Sequence, residues 1–527
     1  MRARGWTVDF YDLTAGPPAL PDGELAGFGD VHERAVRNGA RHGTPVLVDV
    51  SGAVDPRINL FFRTGSMAGA RAGTWRRYAY ALVVWLEFLA VFGRGWEEAT
   101  ARDVEAFKDW RLTDLRNGER VAPTSFDTDR AALNCFYSWA AARYGVGNPV
   151  ASVRRLSRGP RGGGSGSPFA AGVARDPLRP GGSSRRQVKW MLRRAFEQWR
   201  DIGLRGYGFD GLRRPGWSGG NEDRDAAFVD GLYGTGLRVG EWASVLDVEL
   251  PAAGEARFAR AWLSAACMKG GREGRVYRVP RGVLRAVAGY LDPVEGSRVA
   301  AVRRAQRAGR YERVGGVRLV AGHDVRGRVL HVCTGSGATP VSVDVLGPDE
   351  RRLLFRRTRH GLEPLAVWLS ADGLPRKAHS WQDTFQSANA RVERVWEAAG
   401  GKPGEAGLFC RPHMCRHSFA LKWFSILSVV WQPRVEGFTD EELKDLRAQF
   451  GDIWFQLSTL LGHADPATTR EIYLEPFASL EVDYLMSLLD GEEQQAVNAL
   501  VRAVAAGGGR TLTGQRPPSG EDAGGGW

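Results

Sequence analysis

Four separated stretches of the chain hold side chains able to handle a charged or reacting group. YGTGLRVGE at 233–241 sets Arg238 just past a glycine-containing turn, with Glu241 three positions on. MKGGREGRVYRVP at 268–280 sets Lys269 at the entry to Gly270-Gly271, which reads as a tight turn between two strands. RPHMCRHSFA at 411–420 opens with Pro412, a residue suited to the first turn of a helix. His413 and Arg416 are then three apart on one helix face, and His417 is four from His413. LLGHADPATTREIY at 460–473 puts His463 ten positions ahead of Tyr473. There an Asp465-Pro466 turn and Thr468-Thr469 start a helix that delivers the tyrosine. Taken singly, each stretch has an ordinary reading: a surface arginine, a solvated hairpin lysine, a tyrosine packed on a helix. Two histidines four apart can also chelate a metal. Met414, however, follows His413 where the HExxH zinc pattern needs glutamate, and no third ligand is evident.

These side chains need a scaffold, and the apolar pattern supplies one. Residues 1–55 show no sustained periodicity and carry no assignable role. Beyond them, Trp75, Tyr78, Leu82, Trp85, Leu86 and Leu89 recur at helical steps. Thr100 and Asp103 form a capping-box pair ahead of Val104 and Phe107. Leu133, Phe136, Tyr137 and Ala140 mark another helix, and Asn148-Pro149 is expected to stop it. This predicts a small all-helical domain over 56–150. Residues 151–185, with RGPRGGGSGSP, read as a flexible basic linker. Over 151–190 there are nine Lys or Arg and one acid, Asp176, as suits either a solvated tether or a tether crossing phosphates. A mixed α/β domain is expected over 186–505. It opens with a helix around Arg186–Trp199, and an apolar helix at Ala227–Leu232 precedes Arg238. Strand-like stretches surround Trp262 and Val276–Val279, and others lie at Val317–Val320 and Thr339–Val345. After Tyr473, Leu480, Tyr484, Leu485, Leu488 and Leu489 form one helical stripe, and Val497, Leu500, Val501 and Val504 a second. The glycine-rich run over 506–527 reads as a disordered tail.

Composition narrows the partner. A chain of 527 residues exceeds one ordinary core, and 43% hydrophobic residues suffice to pack more than one. The 72 Lys plus Arg against 60 Asp plus Glu leave +12, which favours a polyanion, although abundant arginine also follows from a Gly-, Ala- and Arg-rich composition. Five scattered cysteines without a C-x-x-C pair indicate neither a disulfide framework nor a standard zinc site, and fit reduced thiols in the cytoplasm. The N-terminus lacks an apolar signal core, and the run Tyr78–Phe92 is too short for a membrane span. No Walker sequence and no two-metal carboxylate cluster stands out.

Read together and in order, the four stretches resemble the signature of the tyrosine recombinases, the phage-integrase family: Arg, hairpin Lys, His-x-x-Arg, His or Trp, then Tyr. Here that is Arg238, Lys269, His413 with Arg416, His463 and Tyr473, flanked by T-G-L-R-x-x-E ending at Glu241 and by L-G-H-x-x-x-x-T-T. The resemblance covers about 56–490 and implies an all-α SAM-like core-binding domain followed by a mixed α+β catalytic domain. It implies DNA cleavage through a 3′-phosphotyrosine bond, without cofactor or metal, with Glu241 and His417 in support. The implied partners are double-stranded DNA, further copies of the chain as a homotetramer on paired sites, and an accessory DNA-bending or directionality protein. The implied setting is the nucleoid. Two departures stand out: the stretches from Lys269 to His413 and from Arg416 to His463 are longer than usual for the family, the latter carrying TDEELKDLRAQ at 439–449. Relaxation of supercoils by a type IB topoisomerase shares the chemistry, and a catalytically inactive DNA-binding relative would share the fold; both readings stay open on sequence.

Overall fold

The structure, a computed structural model, describes residues 5–13, 30–151, 178, 190–252, 254–268, 270, 273–335, 337–435 and 453–462, with side chains to 424 in the last helix before the break. Two compact units divide the chain, Met1–Arg186 and Gln187–Trp527.

In the first unit the helical pattern folds as its periodicity dictates. The long helices are α4 (Ala72–Val91), α5 (Ala101–Leu112) and α6 (Pro123–Tyr144), preceded by short α1 (Val31–Arg37), α2 (Pro56–Leu60) and α3 (Gly65–Ala68). Trp75, Leu82, Trp85, Leu86 and Leu89 of α4 pack against Phe107, Phe136, Tyr137 and Ala140. The Thr100 backbone N–H donates to the Asp103 carboxylate at 2.8 Å, and α5 starts there as the capping pair requires. Two details differ from expectation. Helix α6 ends at Gly145, whose φ of +71° is the left-handed C-terminal stop that glycine adopts without strain. Asn148-Pro149 instead begins a new helical turn, with the Asn148 side chain accepting the Ala151 N–H at 3.1 Å. In addition, strands β1 (Thr7–Phe10) and β2 (Pro45–Val48), from the stretch without periodicity, pair antiparallel on this core. Leu47 of β2 is fully buried, and the Asn59 side chain bonds both its N–H and its carbonyl.

The second unit places α7 (Arg193–Arg205), α8 (Glu222–Thr235) and α9 (Val239–Ala243) before a hairpin of β3 (Phe258–Leu263) and β4 (Arg275–Pro280). Helix α7 begins at Arg193, later than the expected Arg186; residues 186–189 lie outside the described set. Then come α10 (Arg281–Leu291) and α11 (Ser297–Arg307), followed by a five-stranded sheet. Its strands are β5 (Arg318–His323), β6 (Val329–Thr334), β7 (Gly337–Ser342), β8 (Leu354–Thr358) and β9 (Gly361–Pro364), in the order β7-β6-β5-β8-β9. Only the β5–β8 pairing is parallel. The sheet occupies the long stretch between Lys269 and His413. Helices α12 (Trp381–Ala398), α13 (Pro412–Val435) and α14 (Ile453–Leu461) complete the described unit. One core joins Phe196, Trp199, Phe228, Leu232, Trp242, Trp368 and Trp381, with the rings of Phe228 and Trp381 stacked nearly parallel. Among the described residues no helix is long and apolar enough to cross a membrane.

Candidate active site

The site is built around the C-terminal end of α8. Gly236 ends that helix at φ +67°, and a Cβ there would strike the Phe419 ring of α13 at 2.3 Å, so only glycine fits. The chain then turns through Leu237 into Arg238, the extended residue just before α9. Glu241, 2% exposed, fixes that arginine: its carboxylate accepts the Arg238 backbone N–H and the Arg238 Nη1–H, each at 2.8 Å. The T-G-L-R-x-x-E spacing thus has a local cause, since a carboxylate at the third helical position reaches back to the orphan N–H ahead of the helix. The Arg238 side chain keeps 28% of its surface exposed.

Helix α13 begins at Pro412 and brings Arg416 to the same place from 178 positions downstream of Arg238. Arg416 is 2% exposed; its Nη1 donates to the Gly236 carbonyl at 2.6 Å and its Nη2 to the Leu461 carbonyl at 2.7 Å. The end of α8 and the end of α14 are therefore fastened by one guanidinium. His413 lies exposed one turn before Arg416, and His417 is half-buried, with the two imidazole centroids 5.3 Å apart. Among the described residues no group of three or more His, Cys, Asp or Glu side chains is arranged to hold a metal. Cys410 and Cys415 flank the start of α13 with sulfurs 3.7 Å apart, and burial pushes the Cys415 thiol well above its ordinary value, which keeps it protonated.

A residue the sequence reading passed over joins this cluster. Arg275, at the start of β4, donates from Nη1 to the Leu460 carbonyl at 3.2 Å and from Nη2 to the Leu461 carbonyl at 3.3 Å. Gly462, at φ +67°, lies against it, and a Cβ there would sit 2.3 Å from Arg275 Nε. Burial lowers the Arg275 pKa, the Glu241 carboxylate opposes that shift and the Arg238 charge adds to it, so all three groups share one electrostatic neighbourhood. The guanidinium nonetheless stays charged, as arginine does in proteins. The only sequence signal was an arginine at a strand start, beside a more conspicuous lysine.

The cluster therefore holds three guanidinium groups and one carboxylate around the backbone of Gly236 and Leu461. That excess of buried positive charge suits an anion with several oxygens. The cavity next to it, lined by Thr235, Tyr277, Phe419 and Leu460 among others, is about 50 Å³. It is room for a water or two.

Lys269, His463 and Tyr473 lie outside the described residues, as do the 439–449 segment and both stripes after Tyr473. The tight turn expected at Gly270-Gly271 rests on Gly271, which lies outside the described residues, but the paired strands stop well short of it. Leu263 pairs with Arg275, so residues 264–274 form the connection. Its first part is held away from the strands: the Ser264 hydroxyl donates to the Val343 carbonyl at 2.7 Å, and Ala265–Cys267 make a helical turn. Gly270 takes φ +69° within this loop.

Comparison with known proteins agrees with the fold at the N-terminal side. Among solved structures, the chain is similar to the XerH site-specific recombinase bound to palindromic difH substrate, at 12% identity over 83% of this chain and 86% of that one, with a TM-score of 0.41. For the XerA recombinase the values are 14%, 85%, 97% and 0.27. For the Tn1549 transposon integrase in complex with transposon right end DNA they are 13%, 81%, 97% and 0.38. No curated protein sequence matches the chain. Residues 58–144, which run from α2 to the end of α6, match the sequence model of the phage integrase N-terminal SAM-like domain.

Proposed function

We propose that the protein is a site-specific DNA recombinase that cuts and rejoins DNA through a 3′-phosphotyrosine bond, serving integration or excision of a mobile element. The observation that carries this reading is that Arg275 and Arg416, from distant parts of the chain, both bond the Leu461 carbonyl, with Arg238 and its Glu241 carboxylate in the electrostatic neighbourhood of Arg275. The SAM-like domain at 58–144 supports it independently.

In the proposed reaction the Tyr473 hydroxyl attacks the scissile phosphorus in line. The P–Oη bond forms, the P–O5′ bond breaks, and the phenolic proton passes to His413 or His463. Lys269, at the hairpin connection, gives a proton to the leaving 5′ oxygen. A tyrosine with an ordinary pKa near 10 holds only about 0.1% phenolate at pH 7, so cationic surroundings must help it ionise. Catalysis of phosphoryl transfer is mostly positioning and charge stabilisation. Arg238, the guanidinium with exposed surface, meets the phosphate oxygens, while Glu241 holds it in place. Arg416 and Arg275 add charge behind it and fix the end of α14 two residues ahead of His463. The phosphotyrosine bond retains the phosphodiester energy, so the free 5′ hydroxyl can attack it and reseal a strand without ATP. Strand exchange needs four cleavages in one synapse, so the working form is a tetramer on paired sites, with an accessory DNA-bending or directionality protein where the site requires one.

The test is trapping of protein on DNA. Wild type incubated with DNA carrying its attachment site should yield a covalent adduct on a denaturing gel, and Tyr473→Phe should bind the same DNA yet yield none. An adduct in the Phe variant refutes the nucleophile. Site-independent relaxation of supercoiled plasmid, without joints at the site, refutes recombination in favour of relaxation.

A further inference from the structure

We infer that the stretch between the hairpin and α13 carries a second duplex-DNA contact, an arginine face formed by the C-terminal half of α11 and the β8–β9 hairpin. The inference rests on the DNA reading above. Residues 297–313 hold six arginines against one acid, Glu312, and the β8–β9 segment adds Arg356, Arg357, Arg359 and His360 against Glu363, with Arg356 and Glu363 already paired to Asp247 and Arg298.

The two elements are packed together. The Gln306 side-chain amide donates to the Leu362 carbonyl at 2.9 Å. Val302, Ala305 and Phe355 share one small core, with Leu362 packed against it. Arg357 lies two residues after Phe355, hence on the same face of the sheet, and pairs across the strands with Leu362. Arg303 and Arg307 flank Gln306 on α11, four apart on one stripe. These side chains therefore gather at one edge, where Arg303, Arg307, Arg357 and Arg359 are all exposed.

Their partners are few. Arg307 Nε donates to the Arg303 carbonyl and Arg359 Nε to its neighbour His360. Among the described residues none of the four has a carboxylate within ion-pair distance, whereas Arg298, buried in the same helix, takes Glu363 at 2.7 Å. Gathering like charges without acids is unfavourable for the folded unit alone. A ladder of phosphates offsets it, and an arginine fork can hold two oxygens of each.

The face is separate from the candidate site. Ser297, at the start of α11, bonds Asp223 at the start of α8 through its N–H at 2.9 Å and its hydroxyl at 2.6 Å. The candidate site is at the other end of α8, about 20 Å from that bond at 1.5 Å per residue. The arginines lie further along α11, where it packs on β9. The arginine face therefore holds DNA beyond the cleaved step and acts through phosphates, with no base reading required.

The experiment compares full-length wild type with an Arg303→Gln/Arg307→Gln/Arg357→Gln/Arg359→Gln variant on a 60-base-pair duplex of arbitrary sequence, by fluorescence anisotropy over a KCl series. The expected result is a fall in the slope of log affinity against log salt of about one unit per arginine lost, three to four in all. A charge-matched variant of exposed but ion-paired arginines, Arg193→Gln/Arg205→Gln/Arg213→Gln/Arg214→Gln, should keep the wild-type slope. Equal losses in the two variants would reduce the effect to net charge and overturn the proposal. So would an unchanged slope in the first variant. Loss of polyglutamate binding with duplex binding intact would assign the face to an acidic protein and also overturn it. A wild type that binds no duplex at all would instead sink the recombinase reading.

Discussion

Gly462→Ala is the sharpest probe of the candidate site, because two separable costs meet at one atom. The first is backbone: at φ +67° an alanine costs about 1–2 kcal/mol relative to glycine. The second is lateral: the new Cβ would sit 2.3 Å from Arg275 Nε, so the guanidinium has to move. Moving it breaks bonds of 3.2 and 3.3 Å to the Leu460 and Leu461 carbonyls. A bond from a charged donor contributes about 1.5–3 kcal/mol, but bonds this long fall below that range, at about 1 kcal/mol each, which gives about 2 kcal/mol for the pair. Gly462→Ala should therefore destabilise the second unit by about 3–4 kcal/mol. In an Arg275→Ala background the lateral cost is already gone, and the same substitution should cost only about 1–2 kcal/mol. The coupling energy in the double-mutant cycle is then about 2 kcal/mol. Urea unfolding of the full chain, followed by tryptophan fluorescence with the second unit's transition fitted separately, measures all four corners. Arg275→Lys, which keeps the charge but not the fork, replaces the Ala variant if that one does not fold. Additive effects, with coupling below about 0.5 kcal/mol, would show that Arg275 and Gly462 do not touch, and the cluster drawn here would be wrong.

Three further outcomes follow from the proposed reaction. Lys269→Ala should slow cleavage of ordinary DNA severely and be largely rescued by a substrate with a 5′-bridging sulfur, whose thiolate leaves without a proton; equal defects on both substrates would give the proton to another group. Adduct formation should persist in excess EDTA, with arginines and lysine in the role a cation would otherwise play; loss in EDTA with recovery on adding magnesium would refute this. Truncation after Pro476 should leave single-site binding intact but weaken cooperative assembly on two-site DNA in native gels, and unchanged cooperativity would confine the apolar stripes beyond Leu480 to the local core.

What could be read from sequence followed the range of the interaction. The α4 stripe and the Thr100–Asp103 cap are set by residues at most a few turns apart, so they were visible as spacing. The Glu241–Arg238 contact is local in the same way, since the carboxylate reaches only three positions back. Arg275 was not, because its partners are carbonyls 185 and 186 positions away, and backbone acceptors leave no trace in side-chain identity. Ribbon β1–β2 escaped notice because four-residue strands give too few alternations to stand out, and its pairing spans a stretch without pattern. The Asn148-Pro149 stop was misread for a local reason: proline both ends one helix and begins the next, and Gly145 had already ended α6.

The long stretch between Lys269 and His413 leaves the arrangement around Arg238 in place because of where its sheet attaches. Leu246, just past α9, pairs with Ala366, and the Val367 N–H donates to the Val245 carbonyl at 3.2 Å, so the sheet's exit strand is sewn to the backbone that follows Arg238 and Glu241. Arg351 locks the junction from within. Its side chain is 3% exposed, pairs with Glu249 at 2.6 Å, and donates to the carbonyls of Ser244, Val343 and Leu346. Burial alone would lower its pKa, but the Glu249 carboxylate, with smaller contributions from Cys267 and Asp344, holds it raised, so the charge stays where the carbonyls need it. The same sheet region reaches the other side of the site: the Trp262 indole N–H donates to the Asp344 carboxylate at 2.8 Å, and Ser264 bonds Val343 at the root of the Lys269 loop. One buried arginine and one aspartate thus link the ground behind Arg238 to the base of the hairpin. The sheet thus ties the backbone that follows Arg238 to the root of the β3–β4 connection, and its far edge, where α11 and the β8–β9 turn lie, carries Arg303, Arg307, Arg357 and Arg359, which no acid among the described residues pairs.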